Sequence, residues 1–244
     1  MRVGIPEYRL PRDILNAEIE DIKRVGVEIK TNSKIESLDE LFKAGYNAIF
    51  LALGAHREVK MGIKGEDAPG VKECVRLLRD VNLGKAVKLG ERVAVIGGGN
   101  AAIDAARVAL RLGAKETGII YRRSRAEMPA SPEEVEAALE EGVKILFLAA
   151  PVKISRRKGA LQVECLRMEL GEPDASGRPR PVPVKGSEFV IELDTLLVAI
   201  GEEPDIRFLA RGHQIELSRR GTTVVCEDTL ATGRPGVFAG GDMV

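Results

Sequence analysis

The sequence predicts an α/β fold in which helices flank a parallel sheet and a β-meander follows. Three observations predict it. The apolar run Arg92–Ile96 ends in Gly97-Gly98-Gly99, and an amphipathic pattern from Ala101 to about Leu112 follows at once. A second apolar run, Thr117–Arg122, completes the strand, turn, helix and strand order of a βαβ unit. Further on, Leu161–Leu170 and Glu188–Leu193 alternate apolar and polar residues, as antiparallel strands do.

The remaining elements follow from spacing and punctuation. Ile14, Leu15, Ile19, Ile22 and Val25 recur at helical intervals, with Pro11 and Asp13 at the start and Gly26 at the end. Val27–Thr31 reads as a short strand, Leu38–Ala44 as a short helix, and Ala48–Leu53 as a buried parallel strand that stops at Gly54. Gly62–Gly70 is a connecting stretch. Ser131-Pro132-Glu133-Glu134 is a helix start in which Ser131 caps, Pro132 takes the first position and Glu134 reaches back. That helix ends near Gly142 and the strand Val143–Leu148 follows. Gly171–Gly186 reads as a loop, and Thr195–Gly201 as another buried run ending in glycine. The strand endings Leu51–Gly54 and Val198–Gly201 echo each other.

A chain of 244 residues, 44% of them hydrophobic, builds one large domain or two modest ones. Basic and acidic residues balance at 37 each, so no overall field favours nucleic acid or an anionic membrane, and neither is an expected partner. Runs such as Val143–Ala150 fall far short of the ~20 residues that cross a bilayer, and the start does not resemble a signal peptide. A cytoplasmic location is the resulting expectation. Cys74, Cys165 and Cys226 are scattered and odd in number, which speaks for structural thiols rather than a disulfide, zinc or iron–sulfur framework. His56 and His213 stand alone in the sequence, so no metal site is expected.

Gly97-x-Gly99-x-x-Ala102 is the motif that carries chemistry. Gly97 allows the tight turn, Gly99 lets the backbone approach a pyrophosphate, and Ala102 allows the helix to pack closely on the strand. The helix N-terminus turns free N–H groups and its positive dipole end toward the phosphates. A purely structural strand-to-helix corner uses similar glycines; the strand on either side of the helix favours the dinucleotide. In an NAD site an acid usually closes the second strand, ~20 residues on, and bonds the adenine ribose. Here Arg122, Arg123 and Arg125 stand in that region. Guanidinium groups there would hold a 2′-phosphate and select NADPH; the other reading is a solvated charge cluster. The tail Val237-Phe238-Ala239-Gly240-Gly241-Asp242 joins small residues, which let a cofactor approach, to a carboxylate suited to sugar hydroxyls. From the residues alone it is equally a terminal turn.

Taken together, Gly4–Pro11, Gly97–Asp104, Tyr121–Ala130 and Val237–Asp242 resemble the small (beta) subunit of glutamate synthase and related NADPH-dependent flavoproteins, almost end to end and in family order. The resemblance implies a Rossmann-like NADPH-binding domain over 63–203, inserted into an FAD-binding domain represented by 1–62 and 204–244. It assigns Gly98, Gly99, Asn100 and Ala101 to the NADPH pyrophosphate and Arg122 with Arg123 to the 2′-phosphate. It places Ala199, Ile200 and Gly201 near the nicotinamide, and Gly241 with Asp242 at the flavin. Hydride would pass from NADPH to FAD and on to an electron-accepting iron–sulfur domain or large catalytic subunit. No catalytic side chain is expected, because the cofactors carry the chemistry. The family's N-terminal flavin turn and its cysteine-bearing iron–sulfur domain have no counterpart in these residues. FAD binding is therefore expected only with a missing flavin lobe or a partner, and no iron–sulfur cluster is expected here. The alternative function is a non-catalytic NADP(H)-binding module that senses or scaffolds.

Overall fold

The computed structural model describes residues 1–174, 177–209, 214–218 and 221–244. His213 and two residues of the Gly171–Gly186 loop lie outside them. In chain order the elements are α1 (Arg12–Arg24), α2 (Leu38–Lys43), β1 (Ile49–Leu51), β2 (Arg57–Glu58), β3 (Val71–Glu73) and α3 (Cys74–Asn82). Next come β4 (Arg92–Ile96), α4 (Asn100–Arg111), β5 (Glu116–Tyr121), α5 (Pro132–Glu140), β6 (Lys144–Phe147), β7 (Ala149–Arg157) and β8 (Ala160–Pro173). β9 (Pro179–Pro183), β10 (Phe189–Leu193), β11 (Thr195–Val198), β12 (Glu202–Glu203) and β13 (Val237–Ala239) complete the set. The residues group into two compact units, Met1–Glu20 with Lys60–Ile200, and Asp21–Val59 with Gly201–Val244.

The first unit is built on a five-stranded parallel sheet of order β3-β11-β4-β5-β6. Strand alternation divides its side chains between two cores. Val93, Val95, Ile119 and Leu197 pack with buried residues of α3, α4 and α5, whereas Ala94, Ile96, Ile120 and Leu196 pack with residues of β7, β8 and β10. The sheet therefore has helices on one face and a second sheet, β10-β8-β7 with β9 on β8, on the other. Ala102, Ala105, Ala106 and Ala109 are fully buried on α4, so small side chains let the helix lie close to the sheet. At the opposite end of β4, Asp194 Oδ2 accepts the N–H groups of Glu91 and Arg92 at 2.9 Å each and fixes where the strand begins.

Four differences from the sequence reading lie in this unit. β3 and α3 occupy residues that carried no prediction, and β3 pairs only with β11, a contact invisible to local pattern. β7 and β8 form a long hairpin whose tip, Lys158 at φ 50° and Gly159 at φ 89°, has the two left-handed residues of a tight hairpin turn. The expected loop contains β9, held as an edge on β8, where its prolines need donate nothing. Ser131 precedes α5 but makes no side-chain cap, and the expected return bond is absent too: the Ser131 N–H donates to Asn100 Oδ1 at 3.1 Å, and Glu134 pairs with Arg107 at 2.6 Å. The capping box forms instead between Ser124 and Glu127.

The second unit holds two small sheets, β1 with β13 in parallel and β2 with β12 antiparallel, over a core of Leu38, Ile49, Leu51, Leu209, Val237, Ala239 and Met243. Ser37 caps α2 by accepting the Asp39 N–H. Val27–Thr31 is not a strand. It finds no partner among the described residues, and Val27 and Ile29 stay 48% and 46% exposed. β1 is likewise not buried on both faces: Ile49 and Leu51 are buried, whereas Phe50 between them is 57% exposed, with no element packed over that side among the described residues. No helix of the described residues is long and apolar enough to cross a membrane.

Candidate functional site

The turn after β4 depends on glycine twice. Gly97 has φ 147°, and a Cβ there would stand 2.3 Å from the Ala199 carbonyl oxygen, while a Cβ on Gly98 would strike the Tyr121 ring at 2.4 Å. Gly99 is different. Its φ is −89°, and a Cβ would meet nothing within 4 Å, so open space stands in front of its backbone. Gly99 is also the N-cap of α4 and offers no side chain to its first turn. Its carbonyl accepts the N–H groups of Ala102 and Ile103, but those of Asn100 and Ala101 have no acceptor among the described residues. Exposed donors, the dipole end of a twelve-residue helix and unfilled space make this a cradle suited to an anion such as a pyrophosphate. The loop beyond β5 leans on the turn: the Ala130 N–H donates to Gly98 at 3.0 Å, the Ser131 N–H to Asn100 Oδ1 at 3.1 Å, and Tyr121 Oη to Glu127 at 2.6 Å.

Successive residues leaving β5 point to opposite sides, and this separates the two arginines expected to act together. Arg122 is exposed and has no partner among the described residues. Arg123 is 2% exposed; its Nε donates to the Pro179 carbonyl at 2.7 Å and its Nη2 to Asp174 at 2.6 Å. The structure thus holds the Arg123 guanidinium on the β8–β9 connection, apart from Arg122. Arg125 pairs with Glu136.

Ala199 follows β11 beside the same turn, with its N–H donating to Ile96 at 2.8 Å. Ile200 is 41% exposed, and Gly201 turns at φ 135°. In the second unit, Gly240 hydrogen-bonds Leu51, Gly241 sits at φ 66°, and Asp242 is exposed in a short helical turn. A Cβ on Gly54 would stand 3.5 Å from His56 Nε2 and 3.9 Å from Asp242 Oδ2, so the imidazole and the carboxylate flank one point. Glu202 joins them: burial pushes its carboxyl up, Asp242 adds to the push, and His56 opposes it. The sequence reading left His56 alone. The only signal for this group was the echo between Leu51–Gly54 and Val198–Gly201, which here head into β2 and β12.

Residues 9–244 match the family described as pyridine nucleotide-disulphide oxidoreductase. The chain is 51% identical over its whole length to the NADP(+)-dependent formate dehydrogenase subunit beta of Moorella thermoacetica, of which it covers 35%. It is 44% identical to the NADPH-Fe(3+) oxidoreductase subunit beta of Geobacter sulfurreducens, with 98% of the chain matching 40% of the relative. It is 34% identical to the glutamate synthase [NADPH] small chain of Escherichia coli, with 99% of the chain matching 55% of it. The chain thus spans between about a third and somewhat over half of these relatives. In fold it is similar to FprA of Mycobacterium tuberculosis, solved in complex with NADPH, at a TM-score of 0.78 and 18% identity over 98% of this chain and 68% of that one. The chain belongs to the pyridine nucleotide-disulphide oxidoreductase family.

Proposed function

We propose that this chain is the NADPH-binding part of an NADPH-dependent flavin oxidoreductase that passes hydride to FAD and then to a partner domain or subunit. The observation that carries the reading is the cradle at Gly97–Ala101, where the Asn100 and Ala101 N–H groups have no acceptor among the described residues, space is open beside Gly99, and Arg122 stands exposed at the end of the adjacent strand. Asn100 and Ala101 would bond the pyrophosphate, and Arg122 the 2′-phosphate. Ala199 and Ile200 would bound the nicotinamide end. When bound, NADPH supplies the hydride and FAD accepts it; the chain's own work is to hold phosphates and exclude water. Gly241 and Asp242 are assigned to the flavin, within a domain made of 1–62 and 204–244 that other residues complete. The scattered, odd-numbered cysteines, with Cys74 and Cys165 buried, are in keeping with a reducing compartment such as the cytoplasm. The partner is an electron acceptor, in keeping with relatives that are named as subunits or small chains.

The test is a visible spectrum of the purified chain, followed by titration with FAD and NADPH, alone and with candidate partner chains. A bound flavin spectrum that bleaches on adding NADPH supports the reading. NADPH binding with no flavin uptake under any of these conditions would favour a sensor or scaffold, and no NADPH binding would end both.

A further inference from the structure

The N-terminal run Gly4–Pro11 has no place in the nucleotide cradle, yet it is tied to the helix that forms it. The Tyr8 ring lies under two guanidinium groups of α4, 4.5 Å from Arg107 and 4.2 Å from Arg111. Asn82 of α3 holds the same segment by donating to the carbonyls of Val3 and Ile5 at 3.0 and 3.1 Å. Arg9 reaches deepest. Its Nη1 donates to Asp104 Oδ2 at 2.8 Å, and its Nε lies 3.3 Å from Glu134 of α5.

Asp104 is an unexpected residue for its position. It is 3% exposed, its Oδ1 has no partner, and it lies four residues past Asn100, about 6 Å along the helix axis from the free N–H groups. A negative charge there opposes any phosphate held at the helix start. At roughly 10 Å and an effective dielectric constant of about 20, one unneutralised carboxylate would weaken a bound anion about tenfold or more. The charges facing Asp104 are Arg9 from the N-terminal segment, Arg107 from α4 itself, Glu134 from α5, and the Tyr8 hydroxyl. Arg107 is engaged by Glu134 and Glu141, which leaves Arg9 as the cation hydrogen-bonded to Asp104.

We propose that Arg9 is a positioning residue of the NADPH site, acting through Asp104: by neutralising that buried carboxylate it keeps the N-terminal end of α4 attractive to the pyrophosphate. The inference rests on the reading that NADPH binds at Gly97–Ala101. It gives the N-terminal run an electrostatic task in addition to its anchoring by Tyr8 and Asn82.

The experiment measures NADPH affinity of the 244-residue chain by fluorescence titration from pH 6 to pH 8.5, with melting curves run in parallel. Arg9→Gln is expected to weaken NADPH about tenfold at pH 8.5, with a loss that shrinks as pH falls, because burial already pushes the Asp104 carboxyl up and its charge-stabilising partner is gone. The double variant Arg9→Gln with Asp104→Asn is expected to bind within about twofold of the unaltered chain at every pH. Asp104→Asn alone should bind at least as tightly, and it keeps the proposal testable should Arg9→Gln fold poorly. An Arg9→Gln affinity that is unchanged at pH 8.5, a loss that Asp104→Asn does not reverse, or weaker binding by Asp104→Asn alone would each overturn the charge assignment. Failure of the unaltered chain to bind NADPH overturns instead the reading on which it rests.

Discussion

Gly98 lies so close to the ring of Tyr121 that a Cβ on it would stand 2.4 Å from Cε2. The ring cannot retreat cheaply, since the Tyr121 hydroxyl is anchored on the Glu127 carbonyl at 2.6 Å and the residue is 6% exposed. Gly99, one residue on, faces nothing within 4 Å. Two neighbouring glycines are therefore required for different reasons, one by packing and the other by the space a ligand would use.

Gly98→Ala is expected to destabilise the fold by about 1–3 kcal/mol through overpacking, visible as a lower melting temperature. Gly99→Ala is expected to cost about 1 kcal/mol or less, as an N-cap change, yet to weaken NADPH about tenfold by placing a methyl group before the phosphate. Equal melting losses with equal binding losses would sink the distinction.

The two adjacent arginines separate in the same way. Arg122→Ala should leave the melting temperature within a degree or so, because the exposed guanidinium has no partner among the described residues, and should weaken NADPH far more than NADH if it holds the 2′-phosphate as proposed. Arg123→Ala should cost about 1–3 kcal/mol by removing the buried guanidinium's packing and its hydrogen bonds to the Pro179 carbonyl and Asp174, and should leave the ratio of NADPH to NADH affinity unchanged. Titration of both cofactors against both variants decides it.

Acid should unlock the α4–α5 contact at Glu141. Hydrogen bonds from Arg111, then Arg107, hold its carboxyl at about 2, below the ordinary 4.5. A depressed folded value means that this stabilisation is complete above the ordinary value and is lost as pH falls toward 2. Asp104 acts with the opposite sign: burial raises its carboxyl, so the folded chain gains relative stability as that group protonates. Urea midpoints of Glu141→Gln should lie below those of the unaltered chain at pH 7 and approach them at pH 3. A gap that stays constant across that range would refute the assignment.

Val27 and Ile29 are exposed in a segment whose sequence has the alternation of a strand. Completion of the proposed flavin domain should give that segment a partner. Amide exchange across Val25–Ile35 is expected to be fast in this chain and to slow at least about tenfold once the rest of the flavin lobe is present. Unchanged exchange with FAD bound would show that this segment takes no part in the completed sheet.

Local pattern was enough wherever a residue's role depends on its near neighbours. β4, α4, β5 and α5 were legible from apolar spacing, and Gly97, Gly99 and Ala102 from the turn they make between strand and helix. Structure diverged where a distant partner decides. Val27–Thr31 has strand-forming residues but no strand to join, while β3 has few such residues and forms because β11 lies beside it. Glu134 was placed to cap α5 and is held by Arg107 instead, an ion pair formed between helices.

The same division runs through the candidate site. The order of strand, glycine turn, helix and second strand was legible in the sequence, since each of those properties resides in a few consecutive residues, and it is this order that supports the proposed dinucleotide site. Which arginine is free, why Gly98 has to be glycine, that Asp104 is buried against Arg9, and that His56 meets Asp242 and Glu202 were all settled by tertiary packing. Burial and charge pairing depend on side chains that the sequence places as many as a hundred or more positions apart, and no local pattern encodes those distances.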